Sequence, residues 1–129
     1  MEEILKNART IAVVGLSDKK ERTSHQIAHY LLENGYNVIP VNPNIEEWHG
    51  MKSYKSLLDI EEKVDIVDIF RKSEFVPEIV DDAIKIRAPV VWMQLGIVNE
   101  EAAEKARKAG IKVIMDRCIR IEHQKCLNC

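Results

Sequence analysis

Five short apolar runs, each stopping at a polar or glycine-containing cluster, constrain this chain more than any other feature. They are Thr10–Leu16, Val38–Val41, Val64–Phe70, Val90–Met93 and Lys112–Met115. They are rich in Val and Ile and lack clean polar–apolar alternation, the pattern of strands covered on both faces of a parallel sheet. Segments of helical period lie between them. Residues 23–34 put Ile27, Ala28, Leu31 and Leu32 on one face, with Thr23 and Gln26 at capping-box spacing and Gly35 as a C-terminal cap. Residues 73–87 put Val76, Ile79, Val80, Ala83 and Ile84 on one face, with Pro77 in the first turn. Asn99 opens a further helix whose inward face is Ala102, Ala103 and Ala106. Met1–Ala8 reads as a short helix, 44–63 as a loop with a short helix near Ser56–Asp59, and the tail from Asp116 as one last turn. Strand–helix alternation with right-handed crossovers predicts an α/β, three-layer, doubly wound domain. Fold analogy gives its five parallel strands the order 3-2-1-4-5.

A chain of 129 residues suits one domain spanning 1–129, which can bury roughly two-thirds of its extended surface. A formal net charge of −2 leaves no basic field for duplex nucleic acid. The acidic start Met1-Glu2-Glu3 is unlike a signal peptide, and no apolar run reaches membrane-spanning length. The expectation is a cytoplasmic protein without nucleic-acid or membrane partners. All three cysteines fall in the last twelve residues and make no disulfide framework for a core.

In a doubly wound sheet, ligands bind at the carboxyl ends of the strands, where the winding reverses. Five clusters converge there: Gly15-Leu16-Ser17, Val41-Asn42-Pro43, Phe70-Arg71-Lys72, Gln94-Leu95-Gly96 and Asp116-Arg117-Cys118. Gly15 lets backbone N–H groups approach an anion, Ser17 adds a hydroxyl, Arg22 offers a bidentate fork, and Thr23 and Ser24 stand at a helix N-terminus. Each has a plainer explanation as turn, cap or solvated charge. Together they favour an anion-binding loop.

No Asp or Glu closes the second strand, where an ordinary NAD site places one on the ribose. The uncharged Val41-Asn42-Pro43 suits an adenine face or a phosphorylated ribose. Asn-Pro also initiates turns without any ligand. Arg71 and Lys72 could neutralise phosphate charge or lie solvated at a strand end. Gly96 could leave room for an extended arm or simply turn the chain. Trp92 reads as core. The four histidines form no triad spacing, and no metal site or acid–base pair stands out. Cys118 reads as a small buried hydrophobe or as a thiol beside a ligand thiol. Cys126 and Cys129 form a C-x-x-C tail, open to a redox or metal reading.

The chain resembles the small CoA-binding-domain proteins and, more distantly, the CoA-binding domain of succinyl-CoA synthetase alpha subunits. The resemblance lies in TIAVVGLS followed by Arg22 and Ser24, GYNVIPVNP at 35–43, VDIVDIFRK at 64–72, VWMQLGIVNEEA at 91–102 and MDRCIRIEH at 115–123. It implies a Rossmann-like fold binding coenzyme A. Gly15, Leu16, Ser17, Arg22, Thr23 and Ser24 would then serve the diphosphate. Val41, Asn42, Pro43, Phe70, Arg71 and Lys72 would serve the adenosine side, and Gly96 would lie near the pantetheine arm. The expected function is non-catalytic binding of coenzyme A or acyl-CoA by a carrier, sensor or partner subunit. The alternative is an NAD(P)-binding redox protein using Cys118 or the Cys126/Cys129 pair.

Overall fold

The computed structural model describes residues 1–126 and 129. In chain order the elements are α1 (Glu2–Asn7), β1 (Thr10–Val14), α2 (Thr23–Glu33), β2 (Asn37–Val41), β3 (Glu47–Trp48), β4 (Met51–Lys52), β5 (Ile66–Ile69), α3 (Val76–Lys85), β6 (Val90–Met93), α4 (Glu100–Lys108), β7 (Lys112–Ile114) and α5 (Ile119–Lys125). Single 3-10 turns cover Leu57–Asp59 and Ser73–Phe75.

The β-branched runs pair as expected into a five-stranded, wholly parallel sheet. Its order is β2-β1-β5-β6-β7. Counting those five strands along the chain gives 2-1-3-4-5, the expected 3-2-1-4-5 pattern with its outermost strand beside β2 reduced to a remnant. The outer place beside β2 is held by the segment expected to be a loop. Tyr54 forms an isolated parallel bridge to Val41, donating its N–H to Pro40 O at 3.0 Å and accepting from Asn42 N at 2.9 Å. If that bridge is counted as a third strand, the order becomes 3-2-1-4-5-6. Pro40 explains why it stays rudimentary: without an N–H facing that edge, the ladder cannot continue. The same segment carries the antiparallel β3–β4 hairpin, which periodicity over two-residue strands cannot reveal.

The neighbours of β1 are therefore β2 and β5, not β6, and the winding reverses between β1 and β5. Gly15 follows β1 and Phe70 follows β5, so these residues open the crevice.

Both faces of the sheet are covered. On one, Val14, Ile39, Val67, Ile69 and Val91 pack with Val76, Val80 and Ala83 of α3 and with Ala102, Ala103 and Ala106 of α4. The three α4 alanines are fully buried, because only a methyl fits between helix and sheet at that approach. On the other face, Ile11, Val13, Val38, Ile66 and Trp92 pack with Leu5 of α1, Ile27, Ala28 and Leu31 of α2, and Ile119 of α5. Asn99 caps α4 as its position suggests, its Oδ1 accepting Ala102 N at 2.9 Å. No described helix is long and apolar enough to cross a membrane.

Candidate functional site

Three adjoining cavities run along the carboxyl ends of the strands. The first, about 460 Å³, lies over β2 and is lined by Val41, Asn42, Pro43, Lys55, Arg71 and Asp82, among others. The second, about 470 Å³, lies over the β1–α2 loop and is lined by Ser17, Lys19, Arg22, Thr23 and Ser24. The third, about 670 Å³, lies over β5 and β6 and is lined by Phe70, Lys72, Gln94, Gly96 and Cys118. Gly15 and Asn42 border both the first and the second, while Thr23 and Phe70 border both the second and the third. The result is one groove in three compartments.

Of the thirteen residues that the resemblance assigns to the coenzyme, all but Leu16 line this groove, and Cys118 lines it with them. Leu16 is fully buried in the core beneath α2, and its carbonyl accepts from Asn42 Nδ2 at 2.9 Å.

The loop after β1 works differently from a bare backbone cradle. Gly15 N–H donates to Val41 O at 2.8 Å and is therefore not available to an anion. A Cβ on Gly15 would stand 2.7 Å from Phe70 O and 3.1 Å from Arg71 Cδ, at φ +88°. The glycine is needed because the Phe70 backbone just after β5 and the Arg71 stem lie directly against it. Ser17 N–H donates to Ser24 Oγ at 3.0 Å, and Lys19 N–H donates to Ser17 Oγ at 3.1 Å. Each hydroxyl accepts from the backbone and so keeps its own O–H to donate elsewhere. The N-cap of α2 is Arg22, and no side chain caps the helix, which corrects the expected Thr23 cap. An uncapped first turn presents unsatisfied N–H groups and the positive end of the dipole to the second cavity.

Asn42 closes the opposite wall. Its Nδ2 holds Leu16 O, and its Oδ1 accepts Asn44 N at 2.9 Å. Both ends of this side chain are engaged within the protein, so Asn42 shapes the first cavity and leaves donation to its neighbours. Arg71 borders the first and third cavities, and its guanidinium lies 4.4 Å from the Phe75 ring centroid.

In all, Lys19, Arg22, Lys55, Arg71, Lys72 and Arg120 face the groove, against the acids Asp18, Glu78 and Asp82. Among the described residues none of these six cations is in a salt bridge. An acidic chain has gathered unpaired positive charge along one sheet edge.

The floor of the third cavity rests on the stretch after β7. Gly96 N–H donates to Asp116 Oδ1 at 2.7 Å, Trp92 Nε1 to Arg117 O at 2.8 Å, and Ile119 N–H to Gln94 Oε1 at 3.3 Å. These ties hold Cys118, a free and buried thiol, against the cavity. Beneath Gln94 lies Asp68, fully buried on β5, with Gln94 Nε2 donating to its Oδ1 at 2.5 Å. Burial pushes the Asp68 carboxyl up to about 8, against the opposing pull of that hydrogen bond. Its other oxygen has no hydrogen-bond partner among the described residues. Burial therefore favours the protonated form of Asp68.

Sequence reasoning missed Asp68, Lys55 and Arg120. The signal for Asp68 was present: a single ionisable residue inside an otherwise apolar strand (IVDI) must be buried or mark an edge. Lys55 could not be found without the Tyr54 bridge that brings it to the end of β2. Cys126 and Cys129 are joined in a disulfide and are not among the groove-lining residues.

Comparison with known proteins agrees with this geometry. A family model described as a CoA binding domain matches residues 9–124. The protein YneT of Bacillus subtilis (strain 168) is 46% identical over 123 residues, covering 95% of this chain and 91% of its own length. A solved structure from Pyrococcus horikoshii OT3 superposes with a TM-score of 0.94 at 46% identity, covering 97% of this chain and 88% of that one. The acetate–CoA ligase [ADP-forming] I subunit alpha of Pyrococcus furiosus is 30% identical over 129 residues, covering 87% of this chain. The match spans only 28% of that subunit's length. With the family model covering most of its length, the chain belongs to the CoA-binding domain family.

Proposed function

We propose that this protein binds coenzyme A or acyl-CoA as a single domain spanning residues 1–129, catalyses no reaction of its own, and works as a carrier, sensor or partner subunit. The observation that carries the reading is the row of six unpaired cations facing the groove against three acids, with no acid among the residues Val41-Asn42-Pro43 that end β2. Coenzyme A presents a diphosphate and a 3′-phosphate to such a row, and a carboxylate after β2 would repel the latter. The adenosine part is assigned to the first cavity, near Lys55 and Arg71. The diphosphate is assigned to the second, between Arg22 and the open N-terminus of α2. The pantetheine arm is assigned to the third, past Gly96 toward Cys118. The subunit role draws on the similarity to the alpha subunit of an acetate–CoA ligase.

Titration calorimetry with coenzyme A, dephospho-coenzyme A, NAD and NADP tests this. Coenzyme A is expected to bind most tightly, with dephospho-coenzyme A weaker through loss of the phosphate facing Lys55 and Arg71. Equal or tighter binding of NAD would overturn the reading.

A further inference from the structure

The third compartment differs in character from the other two. Where they are lined mainly by polar and charged side chains, it has a continuous apolar part, Ile27, Phe70, Leu95, Ile97 and Ile121 with Cys118 among them, beside the cations Arg71, Lys72 and Arg120. It is also the largest of the three. Its rim leaves large apolar side chains in water: Leu95 is 67% exposed, Ile121 44%, and Val98, next to the lining residue Ile97, 42%. This exposure does not come from a slack loop. Gly96 N–H is tied to Asp116, and Val98 N–H donates to Ser73 Oγ at 3.2 Å. A backbone fixed on both sides holds apolar groups out in solvent, around the mouth of an apolar cavity. Such a cluster marks a binding surface.

The coenzyme itself leaves that cluster unexplained. A pantetheine arm carries two amides and ends in a thiol, and it gives Leu95 and Ile121 little to pack against. An acyl group on that thiol continues from the end of the arm. We infer that the rim formed by Leu95, Ile97 and Ile121 receives the acyl chain of a coenzyme A thioester, so that the preferred ligand is an acyl-CoA with an apolar chain of several carbons. This rests on the coenzyme A reading above. It adds a preference that the phosphate-binding parts of the groove cannot create, because those parts meet the same groups in every coenzyme A derivative.

The test is calorimetry with coenzyme A, acetyl-CoA, butyryl-CoA and hexanoyl-CoA, together with the S-hexyl thioether, which cannot transfer an acyl group to Cys118. Affinity is expected to rise about two- to fourfold per added methylene, the range from half to full burial of each CH₂. The thioether should match the hexanoyl ester. Leu95→Ser and Ile121→Ser, both at exposed positions where the fold tolerates a polar group, are expected to lower the hexanoyl-to-free coenzyme A affinity ratio at least fourfold. Equal affinity for coenzyme A and hexanoyl-CoA would overturn the acyl inference while leaving the coenzyme A reading intact. Failure of coenzyme A and all its thioesters to bind would overturn both. A self-associated species by light scattering, unaffected by hexanoyl-CoA and abolished by Leu95→Ser, would assign the rim to a second copy of the chain and likewise overturn the inference.

Discussion

Of the two glycines lining the groove, Gly15 has the less freedom to change. Its φ of +88° costs a residue with a Cβ about 1–2 kcal/mol, and the Phe70 carbonyl 2.7 Å from that Cβ adds steric repulsion. Gly15→Ala is therefore expected to lower the unfolding free energy by at least that amount in denaturant melts. It should also displace Arg71, whose stem lies over the glycine. Asp68 gives a second residue-scale expectation. The folded protein keeps this proton up to a pH of about 8, whereas an unfolded chain releases it near the ordinary value of 3.8. Between those limits the native state binds more protons than the unfolded state, so stability falls as pH rises, by up to about 1.4 kcal/mol per unit from this group. Asp68→Asn keeps the shape and removes the titration. Denaturant midpoints compared at pH 5 and pH 8 are expected to drop less in the variant than in the parent; an identical drop would mean that Asp68 does not titrate in this window.

At the scale of elements, α2 is the most informative. Its apolar face and its glycine stop were legible in the sequence, because helical period and a C-terminal glycine are local signals. Its first residue was legible too, but its cap was not, because Thr23 looks like a cap and only the structure shows that Arg22 takes the cap position without a side-chain bond. That open first turn leads to an expectation for Arg22, which lines the same cavity. Arg22→Ala is expected to weaken coenzyme A binding by about 1.5–3 kcal/mol through loss of a charge-assisted bond, with little change in thermal stability. Calorimetry and a melt on the same sample separate the two effects. The third-strand position teaches the opposite lesson. Buried parallel strands announce themselves as Val/Ile runs, but a strand reduced to one bridge at Tyr54 leaves no periodicity to read. For that reason the strand order could not be derived from sequence, although the layers could.

The whole molecule turns an acidic chain into a locally cationic groove, which the composition alone conceals. The convergence of five strand ends was legible, since a parallel sheet brings all of them to one side. The partners of each cation were not, because pairing depends on side chains far apart in the chain. Binding that draws on six unpaired cations should be sensitive to ionic strength, since the screening length falls from about 10 Å at 0.1 M salt to 3 Å at 1 M. Coenzyme A affinity is expected to fall on the order of tenfold over that range, as read by calorimetry, and a flat response would put the charged groups outside the contact.

Pro40 has a consequence beyond the order of the strands. With no N–H to offer there, and with Tyr54 already hydrogen-bonded to its carbonyl, the β2 rim is a poor template for a visiting strand from another molecule. The opposite rim is β7, three residues long and opened by an exposed Lys112, a poor template for templated growth. Both ends of the sheet thus disfavour strand-by-strand growth, which steers any assembly toward helices, loops or the ligand groove.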